Sequence, residues 1–309
     1  MLVWFVGAVT ALAAPTQAPA QSWTTPEPEP SAVIGGEPVT FEEFDEYSAV
    51  VALVINSTIC TGTLVEDDLV LTAAHCLRGL GGPADIRVFN GLTLNTPGVG
   101  ATAFGMHPDF DVEATRDAFD YGFVSIPAGS LDATPIPVVT DQDEWDEIEP
   151  TLSTDGAVVL VGYGLDPDAP PATNLGIKKV VSTRVRDFTD SGIEFIAGGD
   201  GKDSCEGDSG GPALARNADG EFRLIGITAR GSDPCGKGGF YGVPYHALAW
   251  VSAEVDRPLC GDACGTCDCL DTAPIRDDGC GCTTDDGGPS PWWLFALVFG
   301  LRARRRSTR

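Results

Sequence analysis

The stretch from Asp203 to Pro212 reads Asp-Ser-Cys-Glu-Gly-Asp-Ser-Gly-Gly-Pro and sets Ser209 among three glycines. Glycines let a backbone turn tightly and approach a ligand closely, so the serine can present its hydroxyl while nearby N–H groups converge on a developing negative charge. A hydroxyl is a weak nucleophile at its ordinary pKa. The stretch therefore predicts nucleophilic catalysis only if the chain also supplies a base and an acid that orients it.

Two motifs carry a family resemblance. Residues 207–212 (Gly-Asp-Ser-Gly-Gly-Pro) and residues 71–76 (Leu-Thr-Ala-Ala-His-Cys) stand in the same chain order as the nucleophile and histidine motifs of trypsin-like, chymotrypsin-fold serine proteases. The chain resembles this family from residue 34 to about residue 259. The resemblance implies that Ser209 is the nucleophile and His75 the general base, and that the N–H groups of Gly207 and Ser209 form the oxyanion hole.

The same resemblance points to Asp120 as the orienting acid. It opens an apolar run 45 positions after His75, where a buried carboxylate would hold the imidazole. The sequence departs from the family at the next two positions, because Tyr121 and Gly122 replace the usual aliphatic residue and alanine. His107 and His246, the other two histidines, are not expected to take part in catalysis.

A primary specificity pocket is also implied by the resemblance. Asp203, six positions before Ser209, matches the acid at the pocket base, so substrates with Arg or Lys before the cleaved bond are expected. Gly231 and Gly242 match the two wall glycines. Ala229 and Arg230 lie where the family usually has Ser-Trp, and we expect Arg230 to favour acidic substrate residues further from the cleaved bond.

Activation in this family follows cleavage before an Ile/Val-x-Gly-Gly-like start. Carried over, Ile34 would be the mature N-terminus and Asp208 the partner of its freed amine. Val33 precedes it in place of the usual Arg or Lys, so we expect another protease to activate the chain, with a permanently latent zymogen as the alternative. The resemblance further implies the disulfides Cys60–Cys76 and Cys205–Cys235. It implies no cofactor and no metal, and calcium binding is left open.

Short β-rich runs broken by turn residues predict an all-β fold. The resemblance makes this two packed antiparallel six-stranded β-barrels with a short C-terminal helix. The helix is predicted at residues 245–255, and the predicted strands are residues 49–55, 58–65, 69–72, 86–89, 123–126, 136–139, 157–161, 177–185, 192–196, 222–228 and 240–243.

The termini differ in composition from the body of the chain. Residues 1–20 are predicted to be a signal peptide, with a buried helix as the alternative, and residues 21–33 a Pro/Glu-rich propeptide. The protease domain is assigned to residues 34–259. A cysteine-rich segment at residues 260–282 precedes a spacer, a short apolar segment and an Arg-rich end at residues 283–309.

The C-terminal order of cysteines, spacer, apolar segment and arginines resembles a MYXO-CTERM surface-sorting tail. A sorting protease would remove such a tail, and a plain membrane anchor is the alternative. Disulfides, zinc binding and a sorting role all remain open for its six cysteines, which are Cys260, Cys264, Cys267, Cys269, Cys280 and Cys282.

Charge restricts the partners. The 309 residues carry a formal net charge of −26, which disfavours nucleic acid and anionic membranes, so membrane contact is expected only through the tail. Ten cysteines indicate an oxidising compartment. The sequence predicts a secreted, surface-retained serine endopeptidase that acts on proteins or peptides. The alternative is a catalytically latent protease-fold protein that serves in surface binding or adhesion.

Overall fold

The computed structural model describes residues 33–165, 175–232, 234–260 and 272. The predicted signal peptide, the propeptide before Val33, nearly all of the cysteine-rich segment and the C-terminal tail lie outside these residues. Within them, no helix has the length and apolar character that a membrane crossing requires.

The described chain is mostly strand. Its strands are β1 (Glu37–Pro38), β2 (Val50–Ile55), β3 (Thr58–Glu66), β4 (Leu69–Thr72), β5 (Ile86–Phe89), β6 (Val99–Gly100), β7 (Ala103–Met106), β8 (Gly122–Ser125), β9 (Val158–Gly162), β10 (Lys179–Thr183), β11 (Val185–Phe188), β12 (Glu194–Ala197), β13 (Pro212–Arg216), β14 (Phe222–Gly231) and β15 (Gly239–Gly242). The helices are α1 (Gln142–Ile148) and α2 (Tyr245–Val255).

These strands form two curled antiparallel sheets, which confirms the predicted all-β fold. The first sheet has the order β6-β5-β2-β3-β4-β8-β7, and the second has the order β1-β10-β9-β13-β14-β15-β12-β11. The sheets contain seven and eight strands where six each were expected. Some of the difference comes from β1 and β6, two-residue edge strands too short to show as alternating runs.

The prediction also missed particular elements. Residues 136–139 were expected to be a strand, but they contribute only an isolated bridge between Val138 and Leu224. The predicted strand at residues 177–185 covers β10 and only the first residue of β11, and β7, β13 and α1 were not predicted. Helix α1 begins after Asp141, whose side chain accepts a hydrogen bond from the N–H of Glu144.

Both sheets close over apolar residues. Strand β2 buries Val50, Val51, Ala52 and Leu53 without exposure, and Leu224 and Tyr241 are equally buried in the second sheet. Continuous burial of this kind explains why β2 reads as an unbroken apolar run rather than an alternating one.

A buried lysine joins the two halves. Lys178 lies just before β10, and its Nζ donates to the carbonyl oxygens of Tyr47 at 2.8 Å and Asn90 at 3.2 Å. Burial lowers the pKa of this ammonium from its ordinary value to about 7. The contact fixes one end of the second sheet against the segments that flank β2 and β5 of the first.

Candidate active site

The first half of the site is a histidine–aspartate pair on the first sheet. His75 lies in a short 3₁₀ turn (Ala74–Leu77) after β4, and Asp120 lies before β8, the strand that pairs with β4. The His75 backbone N–H donates to Asp120 Oδ1 at 2.8 Å, and the Nδ1–H donates to Oδ2 at 2.6 Å. Asp120 is 6% exposed. Because Nδ1 is the donor, Nε2 is left as the basic nitrogen.

The second half of the site is the loop that carries Ser209, between β12 and β13. Gly207 and Gly210 adopt φ values of 93° and 79°, a left-handed conformation that only glycine reaches without strain. The N–H of Asp208 donates to Cys205 O at 3.0 Å, and the N–H of Gly210 donates to Thr228 O at 2.8 Å.

Two other amides of this loop behave differently. Within the described residues, the N–H groups of Gly207 and Ser209 have no hydrogen-bond partner in the protein. Two amides on either side of Asp208 are therefore free to bind a ligand oxygen, which is the arrangement that an oxyanion hole requires.

A threonine that the sequence reasoning missed connects the two halves. Thr61, on β3 of the first sheet, donates its N–H to Ser209 O at 2.8 Å and its hydroxyl to Gly207 O at 2.9 Å. Its hydroxyl also accepts from the N–H of Tyr163 at 3.2 Å. The position of Thr61 in a strand could not reveal this role, because its partners Tyr163 and Gly207 are 102 and 146 residues away in the sequence.

Ser209 lies close to His75. The His75 Nε2 and the Ser209 carbonyl oxygen are each 3.7 Å from Cys76 Sγ. Among the described residues, the Ser209 hydroxyl makes no hydrogen bond, to His75 Nε2 or to any other group. Catalytic hydrogen bonds are often long in a free enzyme and shorten when substrate binds, so the arrangement is compatible with a nucleophile and its base.

Asp208 is buried in the protein and does not line the cavity beside Ser209. It is 2% exposed, and its carboxylate accepts from the N–H groups of Gly164 at 2.8 Å and Cys205 at 2.9 Å, and also from the N–H of Val33. Burial raises the pKa of Asp208 to about 6, and these three hydrogen bonds oppose the rise.

The predicted partner of Asp208 is corrected by one position. Val33, not Ile34, meets Asp208, and its side chain is 1% exposed. Ile34 instead pairs with Asp203 in an isolated bridge, in which its carbonyl accepts the Asp203 N–H at 3.1 Å. If the chain is cleaved before the residue that meets Asp208, the start would be Val33-Ile34-Gly35-Gly36, and Ala32 would precede the cut in place of Arg or Lys.

A cavity of about 240 Å³ opens beside Ser209. Its lining is formed by Ser204, Cys205, Glu206, Ser209, Thr228, Arg230, Gly231, Ser232 and Cys235. These residues come from the nucleophile loop and from the end of β14 with the turn that follows it. A substrate side chain that enters this cavity would pass directly beside the serine hydroxyl.

Asp203 lies behind this lining rather than on its surface. It has no exposed area, and its carboxylate accepts from the N–H groups of Ser204 at 2.9 Å, Gly236 at 3.1 Å and Gly238 at 2.7 Å. Burial raises its pKa above the ordinary value despite these hydrogen bonds. Its negative charge therefore lies beneath the cavity and is held by backbone amides.

One of the two predicted wall glycines is corrected. Gly231 lines the cavity, and its partner across the strands is Gly239. Gly242 pairs with Ile227 instead, and a side chain there would overlap the ring of Tyr121 rather than enter the cavity. The sequence spacing from Cys235 thus selected a glycine three positions too far along β15.

Both disulfides expected near the site are present. Cys60 is bonded to Cys76, and Cys205 to Cys235. His75 lies near the first pair, but disulfide sulfur atoms cannot act as thiolates, so the cluster of Cys60, His75 and Cys76 is not a metal site. Cys260, at the edge of the described chain, is also disulfide-bonded.

Two curled antiparallel sheets that each contribute half of a serine–histidine–aspartate site define the chymotrypsin-fold class of serine peptidases. The comparison with protein families agrees. The family model described as Trypsin matches residues 33–251, and the chain therefore belongs to the trypsin family. That match begins at Val33, the residue that meets Asp208.

Individual relatives include enzymes and an inhibitor. The chain is 28% identical to a trypsin of Saccharopolyspora erythraea over 73% of its own length and 97% of the relative's length. It is also 28% identical to a trypsin-like protease of Streptomyces glaucescens, over 68% and 76% of the two lengths. Glucanase inhibitor protein 3 of Phytophthora infestans is equally similar, at 28% identity over 76% and 92%.

Proposed function

We propose that this protein is an active serine endopeptidase that cleaves proteins or peptides after Arg or Lys. The observation that carries the proposal is the His75–Asp120 pair, because the buried carboxylate fixes the imidazole with Nε2 as the base on the side of Ser209. Membership of the trypsin family supports the same chemistry.

The proposed reaction proceeds through an acyl-enzyme. Ser209 Oγ attacks the scissile carbonyl carbon while His75 Nε2 takes the hydroxyl proton, and the free amides of Gly207 and Ser209 bind the oxygen that becomes negative. The C–N bond then breaks, and His75 returns the proton to the leaving amine. A water molecule repeats the sequence on the acyl group and restores Ser209.

Specificity for Arg or Lys is proposed from the charge of Asp203. The carboxylate of Asp203 lies behind the cavity lining and attracts a long cationic side chain, and amide hydrogen bonds help to keep that carboxylate ionised. Activation is proposed to follow cleavage before Val33, since the freed amine would start next to Asp208. Because Ala32 precedes that bond, an enzyme of different specificity would make the cut.

Secretion and retention at the cell surface also remain proposals. They are based on the predicted signal peptide and on the C-terminal tail with its six cysteines, which are almost entirely outside the described residues. The disulfides Cys60–Cys76 and Cys205–Cys235 support the proposal that the protein resides in an oxidising compartment. Mass spectrometry of the mature C-terminus tests tail removal, because an intact Arg309 excludes it.

A latent binding protein is the second candidate function. Two observations favour it: a relative is named as an inhibitor, and the Ser209 hydroxyl makes no hydrogen bond to His75 in the described structure. Both functions use the same fold, so only chemistry at Ser209 separates them.

The deciding experiment uses a fluorophosphonate probe and a peptide library on chain cleaved before Val33. We expect labelling of Ser209, cleavage after Arg and Lys, and no reaction from Ser209→Ala. Labelling of Ser209 without a preference for Arg or Lys would reject only the role of Asp203 in specificity. An Asp203→Ser variant should lose the preference for Arg and Lys but still be labelled at Ser209. Absence of labelling in correctly cleaved protein would favour the latent binding protein.

A further inference from the structure

A buried ion pair lies beside the cavity. Arg230, on β14, donates to Glu194 Oε1 at 2.7 Å and to Glu194 Oε2 at 2.8 Å, so the two side chains meet in a bidentate pair. Glu194, on β12, is 1% exposed, while Arg230 is 27% exposed and lines the cavity. The guanidinium also covers the ring of Phe240, with its central carbon 4.1 Å from the ring centre.

Both members of this pair hold a loop of the first half. Glu194 accepts the N–H of Asp117 at 2.7 Å and the N–H of Ala118 at 3.3 Å. Arg230 donates to the carbonyl oxygen of Thr115 at 2.7 Å. Residues 115–118 are thus tied at three points to strands of the second sheet, although they belong to the connection between β7 and β8 of the first.

The held loop is strained and leads directly to the proposed orienting acid. Asp117 and Phe119 have φ values of 51° and 49°, a left-handed conformation that costs a non-glycine residue about 1–2 kcal/mol. Such a backbone persists where surrounding contacts determine it. Phe119 immediately precedes Asp120, so its unusual φ sets the direction in which the Asp120 carboxylate leaves the loop.

We propose that Glu194 and Arg230 are positioning residues that hold residues 115–118 so that Asp120 meets His75. The expected effect of the pair on catalysis rests on the proposed serine peptidase function. The structural role of the pair in holding residues 115–118 does not depend on that function. A misplacement of about 1 Å at a catalytic group is enough to slow a reaction roughly 100-fold. The pair would therefore act on rate through Asp120.

Direct recognition of acidic substrate residues by Arg230 is the competing explanation, and it is the one that the sequence alone suggested. The contacts argue against it. Two of the guanidinium nitrogens are occupied by a buried carboxylate, and one of these nitrogens is also shared with Thr115 O. The charge of Arg230 is compensated within the protein, which leaves little attraction for an acidic substrate residue.

The test compares Glu194→Gln and Arg230→Gln with Arg223→Gln. Arg223 is a matched control, because it lies on the same strand and pairs with Glu144 at 2.9 Å, but it does not contact residues 115–118. Each protein is cleaved before Val33. Activity is measured on a short ester that ends in Arg, and hydrogen exchange of the amides of Asp117 and Ala118 is followed by NMR or mass spectrometry.

We expect both test variants to lose about 10- to 100-fold in kcat with KM changed by less than about 3-fold, and both amides to exchange at least about 10-fold faster. Arg223→Gln should leave kcat and exchange unchanged. Unchanged exchange in both test variants, or an equal loss of kcat in Arg223→Gln, would overturn the proposal. A higher KM with unchanged kcat in Arg230→Gln would overturn it in favour of substrate recognition.

The exchange measurement separates this proposal from the proposed function. If the wild-type protein neither labels nor cleaves, the peptidase function fails, while faster exchange in Glu194→Gln still supports the role of the pair in holding the loop. If the wild-type protein is active and both variants keep its kcat, the proposed function stands and the positioning role is rejected.

Discussion

The two halves of the candidate active site are built in different ways. On the first sheet, the Asp120 carboxylate holds His75, since it accepts one hydrogen bond from the His75 backbone N–H and one from the Nδ1–H. On the second sheet, the nucleophile loop is held through its backbone by glycines with positive φ and by amides that donate to carbonyl oxygens and to Asp208.

The two halves should therefore tolerate different kinds of substitution. The first half depends on the identity of the functional groups, so a change that keeps shape but alters chemistry should be most damaging there. The second half depends on the course of the backbone, so added volume should be most damaging there. Variants in each half test this contrast.

Asp120→Asn should reduce kcat by about 10⁴-fold, because an amide no longer holds the imidazole in the tautomer that leaves Nε2 basic. The free energy of unfolding should change far less than the activation barrier. Steady-state kinetics and urea unfolding measure the two quantities. Asp109→Asn, at an exposed acid in the same connection, should retain activity within about twofold. An Asp120→Asn protein with a tenth or more of the wild-type kcat would contradict the contrast.

Gly210→Ala should destabilise the protein by roughly 2–5 kcal/mol, since the new methyl group would overlap Thr72 Oγ1 and the backbone at Ala73 in addition to the strain of a φ of 79°. Gly220→Ala is the matched control. Its φ is 82° with no atom within 4 Å of the added carbon, so about 1–2 kcal/mol is expected. Equal losses in denaturant unfolding would show that overlap at Gly210 is relieved and that the loop is not tightly held.

Asp208 should make the stability of the uncleaved chain fall as pH rises. The pKa of its carboxyl is raised from 3.8 to about 6 in the folded protein, so the folded state binds more protons between these values. The contribution is present below pH 4 and is lost by about pH 6, to an extent of up to about 3 kcal/mol. Unfolding of Ser209→Ala is compared with Ser209→Ala/Asp208→Asn, and a difference that stays constant from pH 4 to 7 would refute the shift.

Cleavage before Val33 sharpens the same test. An ammonium group beside Asp208 favours the carboxylate, so the pH-dependent difference should shrink in cleaved protein. A difference of the same size before and after cleavage would show that the freed amine does not reach Asp208.

Thr61→Val should destabilise the protein by about 1–3 kcal/mol, because it leaves Gly207 O and the N–H of Tyr163 without their hydroxyl partner. Thr58→Val on the same strand removes a local hydrogen bond to Ile55 O at an exposed position and should change stability by less than about 0.5 kcal/mol. Activity should fall with Thr61→Val alone. Equal behaviour of the two variants would mean that Thr61 does not align the halves.

Local sequence pattern predicted those elements of the fold that depend on local chemistry. Strands β4 and β5 and helix α2 have the predicted bounds, since each is a short apolar or amphipathic run with clear ends. The positions of His75, Asp120 and Ser209 followed from motifs. The structure brings the first two into contact and the third beside them, although their catalytic roles remain proposals.

The errors came from positions where two similar residues compete. Val33 and Ile34 are adjacent β-branched residues ahead of two glycines, so only the packing around Asp208 distinguishes them. Gly239 and Gly242 lie three positions apart on one strand, where side chains alternate between faces, and only pairing across the sheet shows which one faces Gly231.

The positions that sequence reasoning missed are defined by distant partners. Glu194 reads as one polar residue in an apolar run, and its partners Arg230 and Asp117 are 36 and 77 residues away. No local sequence pattern identifies such a residue, because a buried carboxylate is recognised only by the distant groups that pair with its charge.

The two disulfides have a consequence for how the protein loses activity. Cys60–Cys76 lies wholly in the first half and Cys205–Cys235 wholly in the second, so neither of these bridges crosses the cleft. Alignment across the cleft depends on noncovalent contacts such as that of Thr61 with Ser209. Mild denaturation should therefore separate the two halves from each other before either half, with its own internal disulfide, unfolds. Such inactivation would precede the loss of sheet structure and would reverse without any exchange of sulfur partners.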